Sequence, residues 1–137
     1  MTVSICFEGN NLEPSALTAM LGVLPSKLHN PSHSESVCEG KLVKVGLWLW
    51  ESVDPSNKMT LSDHVGIIWT TFGDGVRHAA SSPNVENAWI DVGIVQQENP
   101  HRYDEANFLL DPQTFMALNN FGLPMKFTVG FTPSQIK

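Results

Sequence analysis

Residues 42–52, Leu42-Val43-Lys44-Val45-Gly46-Leu47-Trp48-Leu49-Trp50-Glu51-Ser52, alternate along their whole length. Successive side chains of a strand point to opposite faces, so this period of two reads as β-structure. Val43, Val45, Leu47 and Leu49 share one face, while Lys44, Gly46, Trp48 and Trp50 share the other. Asp54-Pro55-Ser56-Asn57 then closes the strand with residues that favour a turn.

The same period recurs in three other places. Val3, Ile5 and Phe7 alternate with Thr2, Ser4, Cys6 and Glu8 at the start of the chain. Ile90, Val92 and Ile94 alternate with Trp89, Asp91, Gly93 and Val95 within 87–97. Met125, Phe127, Val129 and Phe131 alternate with Lys126, Thr128 and Gly130 in a closing strand.

Between these strands the pattern changes to helical spacing. Pro14 suits a first helical turn, Leu17, Met20 and Leu21 form an apolar side, and Gly22 ends the helix. Thr60 with Asp63 three residues later forms a capping-box pattern, followed by the stripe Leu61, Val65, Ile68 and Phe72. Asp111-Pro112 opens a third helix carrying Phe115, Leu118 and Phe121. The stretch 76–84 is compatible with a further helical turn or with a loop. Residues 25–41 and 98–106 show no period and read as polar loops, the first one long.

The first and third helices echo one another. Leu12-Glu13-Pro14 leads to Gly22-Val23-Leu24-Pro25, and Leu110-Asp111-Pro112 leads to Gly122-Leu123-Pro124. Capped helices in general share such starts and stops, so duplication and coincidence both remain open. The predicted fold is α+β, in a single domain over 1–137. It has a mainly antiparallel sheet of four to five strands, with about three helices packed largely on one face.

Composition bounds the function. The chain has 137 residues, 42% hydrophobic and 16% charged, which is enough to form a core without disulfides or metal. No apolar run approaches the roughly 20 residues that span a bilayer, and the first residues lack the pattern of a secretory signal. Cys6 and Cys38 are too few for a disulfide framework and read as reduced thiols, so a cytoplasmic location is expected. The net charge is −6, and the eight basic residues are scattered. Nucleic-acid binding requires clustered Lys and Arg and is not expected; a basic protein partner is compatible with the acidic surface.

The middle strands place Trp48, Trp50 and Trp89 on second faces, together with Gly46, Gly93 and Gly130 if the alternation holds. Strand glycines weaken a sheet unless something packs closely over them. That face is therefore either covered by the 25–41 loop or is a binding surface for a partner protein, a small ligand or a second copy in a homodimer. Tryptophan suits both, being core material and an interface anchor.

Motifs for catalysis are absent: no phosphate loop, dinucleotide fingerprint, Gly-x-Ser-x-Gly elbow or His-Glu-x-x-His helix occurs. His29, His33 and Cys38, near Glu35 and Glu39, lack paired zinc spacing, so no metal or cofactor is expected. Cys6 lies mid-strand without an activating setting and reads as a packed thiol. His64 borders the second helix's apolar stripe, and its neighbour Asp63 does not face it on a helix. His101-Arg102-Tyr103-Asp104 reads as a solvated loop tip.

The chain resembles a bacterial family known only as a domain of unknown function, number four-two-seven-nine in that series. The resemblance rests on an N-terminal strand leading to Leu12-Glu13-Pro14 and Leu21-Gly22-Val23-Leu24-Pro25, on Gly46-Leu47-Trp48, and on the helix with Leu61, Ser62, Asp63 and His64. It implies a bacterial, cytoplasmic, single-domain protein and carries over no catalytic residues. The expected function is a non-catalytic binding module using Trp48, Trp50 and Trp89. An acidic inhibitor of a basic toxin-like protein is one form of it. The alternative is a small enzyme with its site between the 25–41 loop and the sheet, drawing on His29, His33 or His64.

Overall fold

The alternating N-terminal residues form the middle strand of a five-stranded sheet, β1 (Thr2–Gly9). The computed structural model describes residues 1–31, 35–38, 41–56, 58–97 and 110–132. After β1 come α1 (Pro14–Leu21), β2 (Lys27–His29), β3 (Glu35–Cys38), β4 (Lys41–Lys44) and β5 (Gly46–Val53). They are followed by α2 (Leu61–Phe72), α3 (Gly75–Ala80), β6 (Asn87–Gln97), α4 (Pro112–Asn120) and β7 (Met125–Thr132).

The sheet order is β2-β5-β1-β6-β7, and β3 pairs with β4 as a separate two-stranded unit. Every pairing in the larger sheet is antiparallel except β6 with β7, which is parallel. The fold is α+β with a mostly antiparallel sheet, as the alternation predicts.

Local chemistry accounts for the helix boundaries. Thr60 and Asp63 make both halves of the capping box of α2, Thr60 N donating to Asp63 Oδ2 at 2.8 Å and Asp63 N to Thr60 Oγ1 at 3.2 Å. Asp111 caps α4 by accepting from Thr114 N at 2.8 Å. Gly22 and Gly122, after α1 and α4, have φ of 70° and 67°, a left-handed conformation that disfavours other residues. The echo between α1 and α4 extends to topology. Both β1 and β2 run antiparallel to β5, so α1 joins parallel strands just as α4 joins parallel β6 and β7.

Three expectations are corrected. The strand 42–52 is two strands, β4 and β5, meeting at Val45, because β4 pairs away with β3. The 25–41 stretch is no plain loop; it contains β2, β3 and the start of β4, strands of three or four residues too short to display a period. The stretch 76–84, compatible with helix or loop, begins within α3, which brings the described helices to four. Within the helices, Met20 and Phe115 point outward, and Thr114 is buried instead.

All four helices pack on one face of the sheet. Leu17 of α1, Leu61, Val65 and Ile68 of α2, Val76 and Ala79 of α3, and Leu118 of α4 share one buried cluster with Val3, Ile5 and Phe7 of β1. Burying side chains of this kind contributes about 1.5–3 kcal/mol each, so this single layer dominates the stability.

Candidate functional site

Register decides which side chains can form a site. Trp48 stands opposite Phe7 and Trp50 opposite Ile5, so both tryptophans lie on the helix-covered face. Trp48 is 0% exposed. Its ring lies 5.7 Å from that of Phe7 and 6.3 Å from that of Phe72, and its Nε1 donates to Thr18 Oγ1 at 3.1 Å. Trp50 is half-buried with its ring 5.0 Å from Phe72. Trp89 stands opposite Cys6, on the other face.

The three tryptophans therefore do not form one surface. The helices need large rings beneath them, and β5 supplies these from the face on which the sequence pattern places Trp48 and Trp50. The aliphatic residues Leu47 and Leu49 are left on the helix-free side, half-buried. The glycines separate in the same way. A Cβ on Gly46 would stand 2.0 Å from Leu12 O, so close backbone packing explains this glycine. At Gly130, nothing lies within 4 Å.

The helix-free face carries a groove of ≈ 300 Å³. Its floor is Thr2, Ser4 and Cys6 of β1 with Gly93 of β6. Leu49 and Glu51 of β5 form one wall, and Asp91 of β6 with Thr128 of β7 form the other. Glu51 and Asp91 both stand directly opposite Ser4, one on each neighbouring strand. Their Cα atoms are thus about 10 Å apart, twice the strand spacing. Beyond them, Lys126 stands opposite Asp91.

Charge and burial in the groove act on the Cys6 thiol. Cys6 is buried, and its pKa is pushed up to about 12, first by desolvation and then by the negative charges of Asp91, Glu51 and Glu8, against a smaller opposing effect of Lys126. The thiol stays neutral at physiological pH and is no nucleophile, because the thiolate is the reactive form. Two other depressions, along α2 at Asp63, Gly66 and Ile67 and beside α3 at Asp74, Arg77 and His78, are lined by exposed residues alone. The groove over Ser4 and Cys6 is built on buried side chains.

The histidines named from sequence are not brought together. His29 stands opposite Leu47 on the helix-free side of β2 and is exposed. His64 is 0% exposed on the helix-covered side. His33 and the 98–106 stretch lie outside the described residues, as do the side chains of Glu35 and Cys38. Among the described residues no group of three His, Cys, Asp or Glu side chains is placed to hold a metal ion.

Sequence reasoning missed one buried pair. Ser52 Oγ and His64 Nδ1 are 2.9 Å apart, and both residues are buried. Burial lowers the His64 pKa, helped by the N-terminal ammonium and opposed by Asp54 and Asp63. The pair has the elements of a nucleophile and base, but Ser52 is 3% and His64 0% exposed, so its geometry fits a structural hydrogen bond. A signal existed: Ser52 continues the Trp48–Trp50 face of β5, and His64 falls at helical spacing between Leu61 and Ile68.

Comparison of the chain with family models, with curated proteins and with solved structures finds no match in any of the three. Among the described residues no helix is long and apolar enough to cross a membrane.

Proposed function

We propose that the chain is a non-catalytic binding module whose helix-free sheet face receives a partner. One observation carries this reading. The four described helices occupy one face, while the other presents a groove whose floor includes buried Ser4 and Cys6, with exposed Val53 (58%) and Val95 (69%) beside its Thr2 end. Large exposed aliphatic side chains beside a built groove are a feature of interaction surfaces. Of the three tryptophans expected to bind, Trp89 alone remains on this face.

In this reading the module works in the cytoplasm with its thiols reduced, and the resemblance to the family of unknown function adds no activity to it. Its partner is a protein, with a second copy of the chain as one candidate, and no nucleic acid is involved. Site-specific photo-crosslinking in the cells that encode the chain tests it. A benzophenone side chain at Val53 or Val95 is expected to give a discrete adduct that the same group at exposed Ala19 of α1 does not. An adduct of twice the chain's own mass identifies the second copy. Identical adduct patterns from Val95 and Ala19, or none, would remove the helix-free face as the binding surface.

A further inference from the structure

The covered face holds one titratable side chain that the binding reading leaves unused. His64 is 0% exposed, and its Nδ1 lies 2.9 Å from Ser52 Oγ. Its Nε2 is buried with no hydrogen-bond partner among the described residues. An imidazolium donates from both ring nitrogens, and this position offers no acceptor for the second N–H. A buried cation without a partner costs far more than a neutral ring, so the ring takes up a proton only by leaving the core. Nothing packed around α2 relieves this. β1, β5 and β6 turn uncharged side chains to the covered face, among them Val3, Ser52 and Val92, and α4 carries no charge after its cap Asp111. The N-terminal ammonium ahead of β1 disfavours the cation, while Asp54 and Asp63, on the segment leading into α2, favour it.

That segment is weakly held. Between Val53 and His64, Leu61 is the one buried side chain among the described residues. Gly66 follows two residues after His64, and a Cβ there would meet nothing within 4 Å, so packing does not require this glycine. A glycine inside a helix weakens it relative to alanine. Beyond Gly66, α2 is fixed by buried Ile68 and by Trp69, whose ring stacks on Phe121 and whose Nε1 donates to Ala117 O at 3.3 Å.

We propose that His64 is an acid-sensitive latch: proton uptake by its ring releases the first turn of α2 from β1 and β5, hinged at Gly66, while the rest of the core stays folded. Above pH 6.5 the ring is neutral in both states and the turn is shut. Below it, the released ring protonates at its ordinary pKa and the shut ring resists, so each pH unit favours release about tenfold. Release uncovers Ser52 and Val3, which stand opposite one another at one end of the covered face.

The test is amide hydrogen exchange of the intact chain, read residue by residue by NMR at pH 7.5 and 5.5 and corrected for intrinsic rates. Protection of the His64 and Val65 amides should fall about tenfold between the two, and at pH 5.5 should not depend on sub-denaturing urea. The Ile5 and Ile90 amides should stay better protected and lose protection as urea is added. Gly66→Ala should raise protection at His64 and Val65 about fivefold and keep the pH step. His64→Gln should abolish the step.

Equal protection and equal urea dependence at Val65 and Ile5 would show release by global unfolding alone and overturn the latch. A pH step that survives His64→Gln, or no step in the parent, would overturn His64 as the sensor. Should His64→Gln fail to fold, the His64 Cε1 proton of the parent decides. Its titration together with the loss of Val65 protection supports the latch, and a ring that stays neutral through that loss overturns it.

Discussion

The two faces of the sheet are built from the same five strands and differ in almost every physical respect. On the covered face, Phe7, Trp48, Trp50 and Phe72 meet ring against ring, and the Trp48 indole nitrogen is hydrogen-bonded. On the other face, small side chains line the middle strand and carboxylates flank them. The first arrangement maximises apolar burial and leaves little room for change. The second buries Cys6 and part of Leu47, Leu49 and Trp89, but it leaves carboxylates and Thr128 in reach of solvent.

The largest expected effect is at Trp48. Trp48→Ala removes a fully buried indole and leaves Thr18 without its donor, and should cost about 3–5 kcal/mol in urea unfolding. Trp89→Ala should cost less than half of that. Equal losses would show that the helix-free face is also core. The glycines give a second contrast. Gly46→Ala drives a methyl group into Leu12 O and should cost about 3 kcal/mol, at the upper end for overpacking. Gly130→Ala meets open space and should lie within about 0.5 kcal/mol of the parent.

These contrasts show what the sequence could disclose. The α2 capping box was legible because its groups are three residues apart and act locally. The bounds of β6 were legible because eleven residues display several alternations. The choice of the inner face of β5 was not legible, since a period of two separates the faces without saying which one meets the helices. The groove was hidden for another reason. Glu51, Ser4 and Asp91 come from three strands, and only the pairing register aligns them in one row.

The covered face should also respond to acid. The unfolded chain takes up a proton on His64 near pH 6.5, while burial and the N-terminal ammonium make the folded chain resist it, against the opposing charges of Asp54 and Asp63. Stability contributed by neutral His64 is therefore fully present above pH 6.5 and falls as the pH drops below it, by at most about 1.4 kcal/mol per unit for one proton. Urea midpoints at pH 7 and pH 5.5 measure this loss. His64→Gln should lower the midpoint at pH 7 and flatten the dependence. An unchanged dependence in the variant would assign the acid response to other groups.

The smallest expected effect separates the faces most finely, because it concerns one N–H group. Trp48 Nε1 donates to Thr18, whereas Trp89 Nε1 is buried with no hydrogen-bond partner among the described residues. A buried donor without an acceptor costs about 1–3 kcal/mol, and phenylalanine removes the donor while keeping most of the apolar surface. Trp89→Phe should thus leave stability within about 0.5 kcal/mol of the parent, since lost burial and relieved desolvation oppose each other. Trp48→Phe has no such relief and removes the donor to Thr18, whose hydroxyl keeps only its bond to Pro14 O, so it should cost at least about 1 kcal/mol more than Trp89→Phe. If the two substitutions cost the same, Trp89 Nε1 has a partner in the folded chain. The helix-free face then carries its own specific cover, and the groove beside it is an internal feature of the fold.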